Sequence, residues 1–280
     1  MNIMHRDHIG AYAKKWNLSD VKPINVKSSF SDVAMVTMAN GDKAVLKVLS
    51  DRGMEVEENG SAALNYFKGD AMVRLYQSDE RAHLLEFIDG PMLTAQVKAG
   101  EDEKSALIIC DVIECLHEND AEPENLFKPL QEHFSALFEC ASKKQANPIL
   151  TKASMVADIL LHSTENERPL HGDLHHDNIL HSSTRGWVAI DPHGLYGDVA
   201  YEYANAFNYP VDDRDLTSNP DRIHMLADVF VGRSGIDKKK ILQYAAAHMG
   251  LSSSWRIEQG RDESARGVLR SCDQILKLVA

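Results

Sequence analysis

The chain has 280 residues, 44% of them hydrophobic, which suits one large domain or two lobes and exceeds a minimal stapled scaffold. Its 30 basic residues stand against 42 acidic ones, and the net charge of −12 argues against nucleic acid as a partner while suiting a cationic ligand. No run approaches the ~18 uninterrupted apolar residues of a membrane span, and the opening MNIMHRDHIG lacks the apolar core of a secretory signal. Cys110, Cys115, Cys140 and Cys272 show no paired C-x-x-C spacing, so neither a zinc ribbon nor a disulfide framework is suggested. A reducing, cytoplasmic setting is the expectation.

Strand patterns come first along the chain. VAMVTM (33–38) and KAVLKVL (43–49) flank Asn40-Gly41-Asp42, and Asn-Gly supplies the positive φ angles of a tight hairpin turn. Alternation puts Lys47 on the side of Val45 and Leu49, where a lone lysine needs a reason. EVEENGSAALNYF (55–67) predicts a helix with Val56, Ala63, Leu64 and Phe67 on one face, weakened by Gly60. Two more strands are predicted at AMVRLY (71–76) and HLLEFI (83–88), and Asp89-Gly90-Pro91 then punctuates the chain.

Beyond that point the pattern is helical. Within 101–117, Ala106, Ile109, Cys110, Ile113 and Leu116 recur at helical spacing. PLQEHFSALFECASKK and ILTKASMVADILLH continue it, as does the region from about residue 219, and a short strand, GWVAID, interrupts between Pro169 and Pro192. These patterns predict an α+β chain with a small antiparallel-sheet N-lobe over 1–90 and a larger, mainly helical C-lobe over 91–280.

The segment LHGDLHHDNIL (170–180) packs three histidines, two aspartates and an asparagine into eleven positions. Three readings compete. A zinc site draws on His171, His175, His176, His181 and Asp177, but neighbouring His175 and His176 diverge in most backbones and no H-E-x-x-H or cysteine partner is present. A plain polar loop is the second, because turns attract Asp and Asn. The third rests on spacing. His171-Gly172-Asp173 is followed by Asn178, matching the kinase loop H-x-D-x-x-x-x-N, in which Asp accepts the hydroxyl proton and Asn holds Mg²⁺. An apolar strand then delivers Asp191, the second carboxylate that phosphoryl transfer needs to hold its metal. Upstream, AVLKV places Lys47 much as the V-A-I-K pattern places its phosphate-pairing lysine, and Glu57 is the better candidate for its carboxylate partner over Glu58. LLEFIDG reads as the hinge, where backbone groups near Glu86 and Ile88 can pair with adenine.

HGDLHHDN with IDPHGLYGD resembles the aminoglycoside phosphotransferase branch of the kinase-like superfamily. With GWVAIDPHGLYGDVAYEYANAF and the late SSSWRIEQG, it is similar to the streptomycin 6-phosphotransferase and hydroxyurea phosphotransferase family. The resemblance implies a protein-kinase-like two-lobed fold, ATP with Mg²⁺, and O-phosphorylation of a small molecule. Asp173 is then the catalytic base, with Asn178 and Asp191 as metal ligands. There is no G-x-G-x-x-G; SSFSD, with Ser29, occupies the nucleotide-loop position. Asp191-Pro192-His193-Gly194 replaces D-F-G and no A-P-E follows, which disfavours protein substrates. Glu202 reads as a brace for the catalytic loop, with a substrate contact as the alternative. Asp198, Trp255 and Glu258 join it as candidate contacts to a cationic acceptor, an aromatic face and carboxylates suiting a planar cation. Hydroxyurea or another small alcohol is the alternative acceptor, and a nucleotide-binding pseudokinase scaffold the alternative without catalysis.

Overall fold

In the computed structural model, which describes residues 3–25, 30–56, 58–69, 71–119, 121 and 127–279, the chain opens with a helix that the sequence patterns do not announce. That helix, α1 (Ile3–Lys15), lays Ile9 and Ala13 on a sheet whose exposed edge is β1 (Ser19–Ile24). Pro23 is tolerated there because an edge strand has a free hydrogen-bonding side. Next come β2 (Ser31–Thr37) and β3 (Lys43–Leu49), paired antiparallel with Thr37 opposite Lys43 and turned through Gly41 at φ 88°. The hairpin therefore forms where Asn-Gly predicts it.

The single helix expected over 55–67 is instead two short ones, α2 (Asp51–Val56) and α3 (Gly60–Tyr66). Gly60 starts the second rather than interrupting the first. β4 (Leu75–Ser78) and β5 (Ala82–Glu86) complete a five-stranded antiparallel sheet in the order β1-β2-β3-β5-β4. The strand expected at 71–76 thus begins late. Its first residues pair elsewhere: Val73 N–H donates to Ala189 O at 2.9 Å and Ala189 N–H to Ala71 O at 2.7 Å.

The rest of the chain runs α4 (Thr94–Lys98), α5 (Asp102–Leu116), β6 (Lys128–Pro129), α6 (Leu130–His133), α7 (Ser135–Ser142), α8 (Pro148–Leu161), β7 (Glu167–Leu170), β8 (Ile179–Ser182), β9 (Gly186–Ala189), β10 (Leu195–Asp198), α9 (Arg214–Thr217), α10 (Pro220–Ser234), α11 (Lys238–Glu258) and α12 (Asp262–Val279). Local chemistry sets these boundaries. Asn147-Pro148 and Asn219-Pro220 each supply a side-chain cap followed by proline at the first helical turn, and Gly235 ends α10 at φ 70°. α11 is buried nearly all round, and its small residues Ala245, Ala246, Ala247, Ser252 and Ser253 let α8 and α12 pack closely upon it. Among the described residues no helix is long and apolar enough to cross a membrane.

The two faces of β3 belong to different cores. Ala44, Leu46 and Val48 pack with α1, whereas Val45 packs against the large cluster that continues through the helical lobe. Period-two alternation therefore turns Lys47 away from α1 and toward the seam between the lobes.

Candidate active site

The hairpin of β8 and β9 sets the geometry of the site. Ile179 lies opposite Ala189, and Ile190 N–H donates to Asn178 O at 2.9 Å, so Asn178 and Asp191 leave its open end side by side. Asp191 carries φ 57°, a left-handed backbone that a non-glycine residue adopts only where its surroundings demand it. Its Oδ1 lies 3.1 Å from the Lys47 ammonium, which is buried to 4% exposure. A lysine so deeply placed requires a counter-charge, and Asp191 provides one across the lobe seam.

Asp173 adjoins Asn178 with both carboxylate oxygens engaged. Asn178 Nδ2 donates to Oδ2 at 3.0 Å and to the Asp173 carbonyl at 2.9 Å, and Asn205 Nδ2 donates to Oδ1 at 2.8 Å. The Nε2 atoms of His175 and His193 stand 3.5 and 3.7 Å from Oδ2. Burial pushes this carboxyl up, but His193 and His175 outweigh it and hold the group well below the usual carboxylate range. His175 Nδ1 accepts from the Asp177 N–H at 3.1 Å, leaving Nε2 to carry the ring proton toward Asp173. The His175 ring stacks on Tyr209 with centroids 3.6 Å apart.

The loop holding Asp173 is braced from beneath. Glu202, almost fully buried, accepts from His171 N–H at 2.6 Å and Gly172 N–H at 3.1 Å, with His117 Nε2 at 3.3 Å. His171 Nδ1 accepts from Asp173 N–H at 3.2 Å while its Nε2 donates to Ile190 O at 2.9 Å, tying the loop to β9. Gly172 turns at φ 80°, and a Cβ there would lie 2.6 Å from Leu195 Cγ, so only glycine fits. Gly194 at φ 68° lets the segment after Asp191 approach α3, because a Cβ would come within 2.8 Å of Asn59 O.

Asp173, Asn178, Asp191 and Lys47 are thus gathered at one place, as their spacing predicts. Several other expected contacts lie elsewhere. Glu202 is a loop brace, its oxygens occupied by backbone amides, and it faces no cleft. Asp198 is buried, accepts from Ala200 N–H at 3.0 Å and pairs with Lys240 at 2.7 Å, so it too is structural. Trp255 is half-buried, its ring 5.2 Å from that of His133, which lies 5.8 Å from His193 beside Asp173. Glu258 is exposed at the end of α11. The Glu86 amide is spent within the N-lobe on Arg74 O at 2.9 Å, and its carboxylate on Arg185 and the Arg74 amide, while Ile88 is buried just beyond. Ser29 and Glu57 lie outside the described residues.

Sequence reasoning missed Asn205, His193 and the His133–Tyr201–His248 chain. In that chain, Tyr201 OH lies 3.0 Å from His133 Nε2 and 2.8 Å from His248 Nδ1. His193 was within the quoted D-P-H-G, but nothing in a linear spacing says that Asn205 returns to Asp173.

Among the described residues no three His, Cys, Asp or Glu side chains converge on a common metal position, so the histidine-rich segment has no donor set for a zinc cage. Asp191 and Asn178 form a smaller set of two oxygen-bearing side chains, and the Asn178 amide nitrogen is turned to Asp173, leaving its Oδ1 as acceptor. One carboxylate with one amide oxygen suits a hard cation that takes its remaining ligands from water and phosphate.

Residues 15–260 match the profile of a family described as aminoglycoside/hydroxyurea antibiotic resistance kinase. The chain belongs to this family. It is 37% identical over 208 residues to streptomycin 3''-kinase of Klebsiella pneumoniae, covering 73% of this chain and 77% of that one. Streptomycin 6-kinase of Streptomyces griseus is 28% identical over 239 residues, covering 81% and 75%. In fold, an aminoglycoside phosphotransferase APH(4)-Ia variant solved with ADP and hygromycin B superposes with TM-score 0.69 at 14% identity, covering 96% and 97%. The choline kinase LicA from Streptococcus pneumoniae gives TM-score 0.68 at 15% identity, covering 99% and 100%. The two-lobed architecture is therefore kinase-like, and the chain is a kinase, a phosphotransferase acting on small molecules.

Proposed function

We propose that this kinase transfers the γ-phosphate of ATP to a hydroxyl of a streptomycin-type aminocyclitol antibiotic. The observation that carries the reading is the convergence of Asp173, Asn178, Asp191 and Lys47 in a chain 37% identical to a streptomycin 3''-kinase. A pseudokinase scaffold has no need to keep all four.

The acceptor hydroxyl donates to Asp173, whose carboxylate is held in one orientation by Asn178 and Asn205 and is ionised throughout the working pH range. An anion so stabilised is a weak base. Its main contribution is to align the hydroxyl and to take its proton as the bond to phosphorus forms. Asp191 and Asn178 are the residues suited to Mg²⁺, which supplies charge neutralisation of the transferring phosphate when bound. Lys47 is placed to turn from Asp191 to the nucleotide phosphates. Adenine pairing at the hinge falls to the Glu86 carbonyl and the Ile88 amide, since the Glu86 amide is already used.

The two streptomycin relatives are named for different hydroxyls, so the antibiotic class rather than the position is the proposal. Incubating the protein with γ-labelled ATP, Mg²⁺ and a panel of streptomycin, hygromycin B, hydroxyurea and inositol tests it. Label should pass to streptomycin, and phosphorus NMR of the product identifies the oxygen. Transfer to hydroxyurea or inositol with none to streptomycin overturns the acceptor.

A further inference from the structure

A cleft of about 860 Å³ opens between the start of α8, the loop before α9 and the face of α12. That is within the range of small-molecule sites. None of Lys47, Asp173, Asn178 or Asp191 lines it. Its walls carry Arg214, Arg266 and Arg270 against Glu263 and Asp273, and Asp273 is already paired with Lys277 at 2.7 Å. Within a chain of net charge −12, this is a local excess of positive charge.

Half-buried Arg214 lines it, and a second half-buried arginine, Arg256, lies behind the lining residue Ser264. Arg214 Nη1 donates to Asn208 Oδ1 at 2.9 Å, and Asn208 Nδ2 donates to Ser252 Oγ at 3.2 Å. Arg256 donates from Nη1 to the same serine, to its carbonyl at 2.7 Å, and from Nε to Ser264 Oγ at 3.1 Å. Among the described residues neither arginine has a carboxylate within ion-pair distance. Arg222, Arg185 and Arg233 do, with Asp102, Glu86 and the pair Asp111 and Glu114. Burial first, then the charge of Arg256, lowers Arg214 to about 10, with Arg270 adding to the effect and Tyr209 and Asp212 partly opposing it. Burying like charges together without compensation is unfavourable unless an anion completes the arrangement.

We propose that this cleft is a second ligand site that binds a small molecule through a phosphate or carboxylate group. Guanidinium forks match such oxyanions two hydrogen bonds at a time. A polycationic aminoglycoside is repelled from the same walls, so the ligand is distinct from the proposed acceptor. The site is linked to the catalytic loop through a chain of contacts. Arg214 holds Asn208, the next residue, Tyr209, stacks on His175, and His175 contacts Asp173.

Calorimetric titration of the full chain in low salt with EDTA, using pyrophosphate and citrate as probes, tests the proposal. The comparison is the double variant Arg266→Gln/Arg270→Gln, whose side chains are exposed and whose loss leaves the core intact. At least one probe should bind, with Kd rising about tenfold in the variant as two exposed charge contacts are lost. Binding of pyrophosphate alone identifies a phosphate ligand, and of citrate alone a carboxylate one. No heat from either probe at millimolar concentration, or equal affinity in variant and wild type, overturns the site.

Discussion

Asp173 receives amide donors on both oxygens, and that arrangement sets the expected outcome of replacing it. Asp173→Asn keeps the shape but removes the proton acceptor and turns an NH₂ toward either Asn178 or Asn205. Turnover should fall ~10²–10⁴-fold with nucleotide affinity retained, and a variant within about twofold of wild type contradicts the proposed role. Thermal melting beside single-turnover assays separates lost chemistry from lost fold. At this scale the sequence was informative where function depends on short spacing. Asp173, Asn178 and Asp191 lie on one loop-and-hairpin unit, so their separation along the chain nearly dictates their geometry. Asn205 reaches Asp173 only because the turns after β10 pack beneath the loop. Asp198 and Glu202 show the converse: an acidic residue near the site in sequence can face inward to cap or brace.

At the scale of elements, the lobes are joined by more than the chain between them. Arg185, in the β8–β9 turn, pairs with Glu86 at the end of β5 and donates to Met72 O at 2.9 Å. Both partners of the ion pair are nearly buried, at 9% and 12% side-chain exposure. Removing one strands the other. Glu86→Ala should cost about 3 kcal/mol, the low end for a broken buried pair because Arg185 keeps carbonyl partners, and lower Tm by roughly 5 °C. Glu86→Gln, which preserves an acceptor, should lose less. Melting of the Ala variant within about 2 °C of wild type removes this clip from the account. None of this was legible in LLEFIDG, where Glu86 reads as a hinge residue. Element prediction succeeded where turn chemistry was explicit, as at Asn40-Gly41. It failed at α1, whose buried contribution in the described side chains is little more than Ile9 and Ala13, and at β1, exposed at every position.

For the whole molecule, the buried histidines set a limit on the acid side. Burial lowers His83 from its ordinary 6.5 to about 4 and His248 to about 3, and it lowers His133, His171 and His176 as well. Each stays neutral in the folded chain while its unfolded counterpart takes up a proton below about pH 6.5. The unfolded state therefore binds more protons from there down to each folded value, and stability must fall as pH falls through that window. Every such excess proton contributes about 1.4 kcal/mol per pH unit. Asp173 and Glu202, held below their ordinary values despite burial, add to the same trend at still lower pH. The alkaline limit has the opposite sign: burial raises Cys110 and Cys272 to about 12, so stability falls as pH rises past the ordinary thiol value. His176 isolates the effect. Neither of its ring nitrogens meets a partner among the described residues, and it is fully buried beside the catalytic loop. His176→Leu removes one titrating group without breaking a hydrogen bond. Chemical denaturation between pH 4.5 and 7.5 (roughly the window of histidine titration) should show a stability slope shallower by about one proton in the variant. An unchanged slope would mean that His176 is already protonated in the folded chain or neutral in both states.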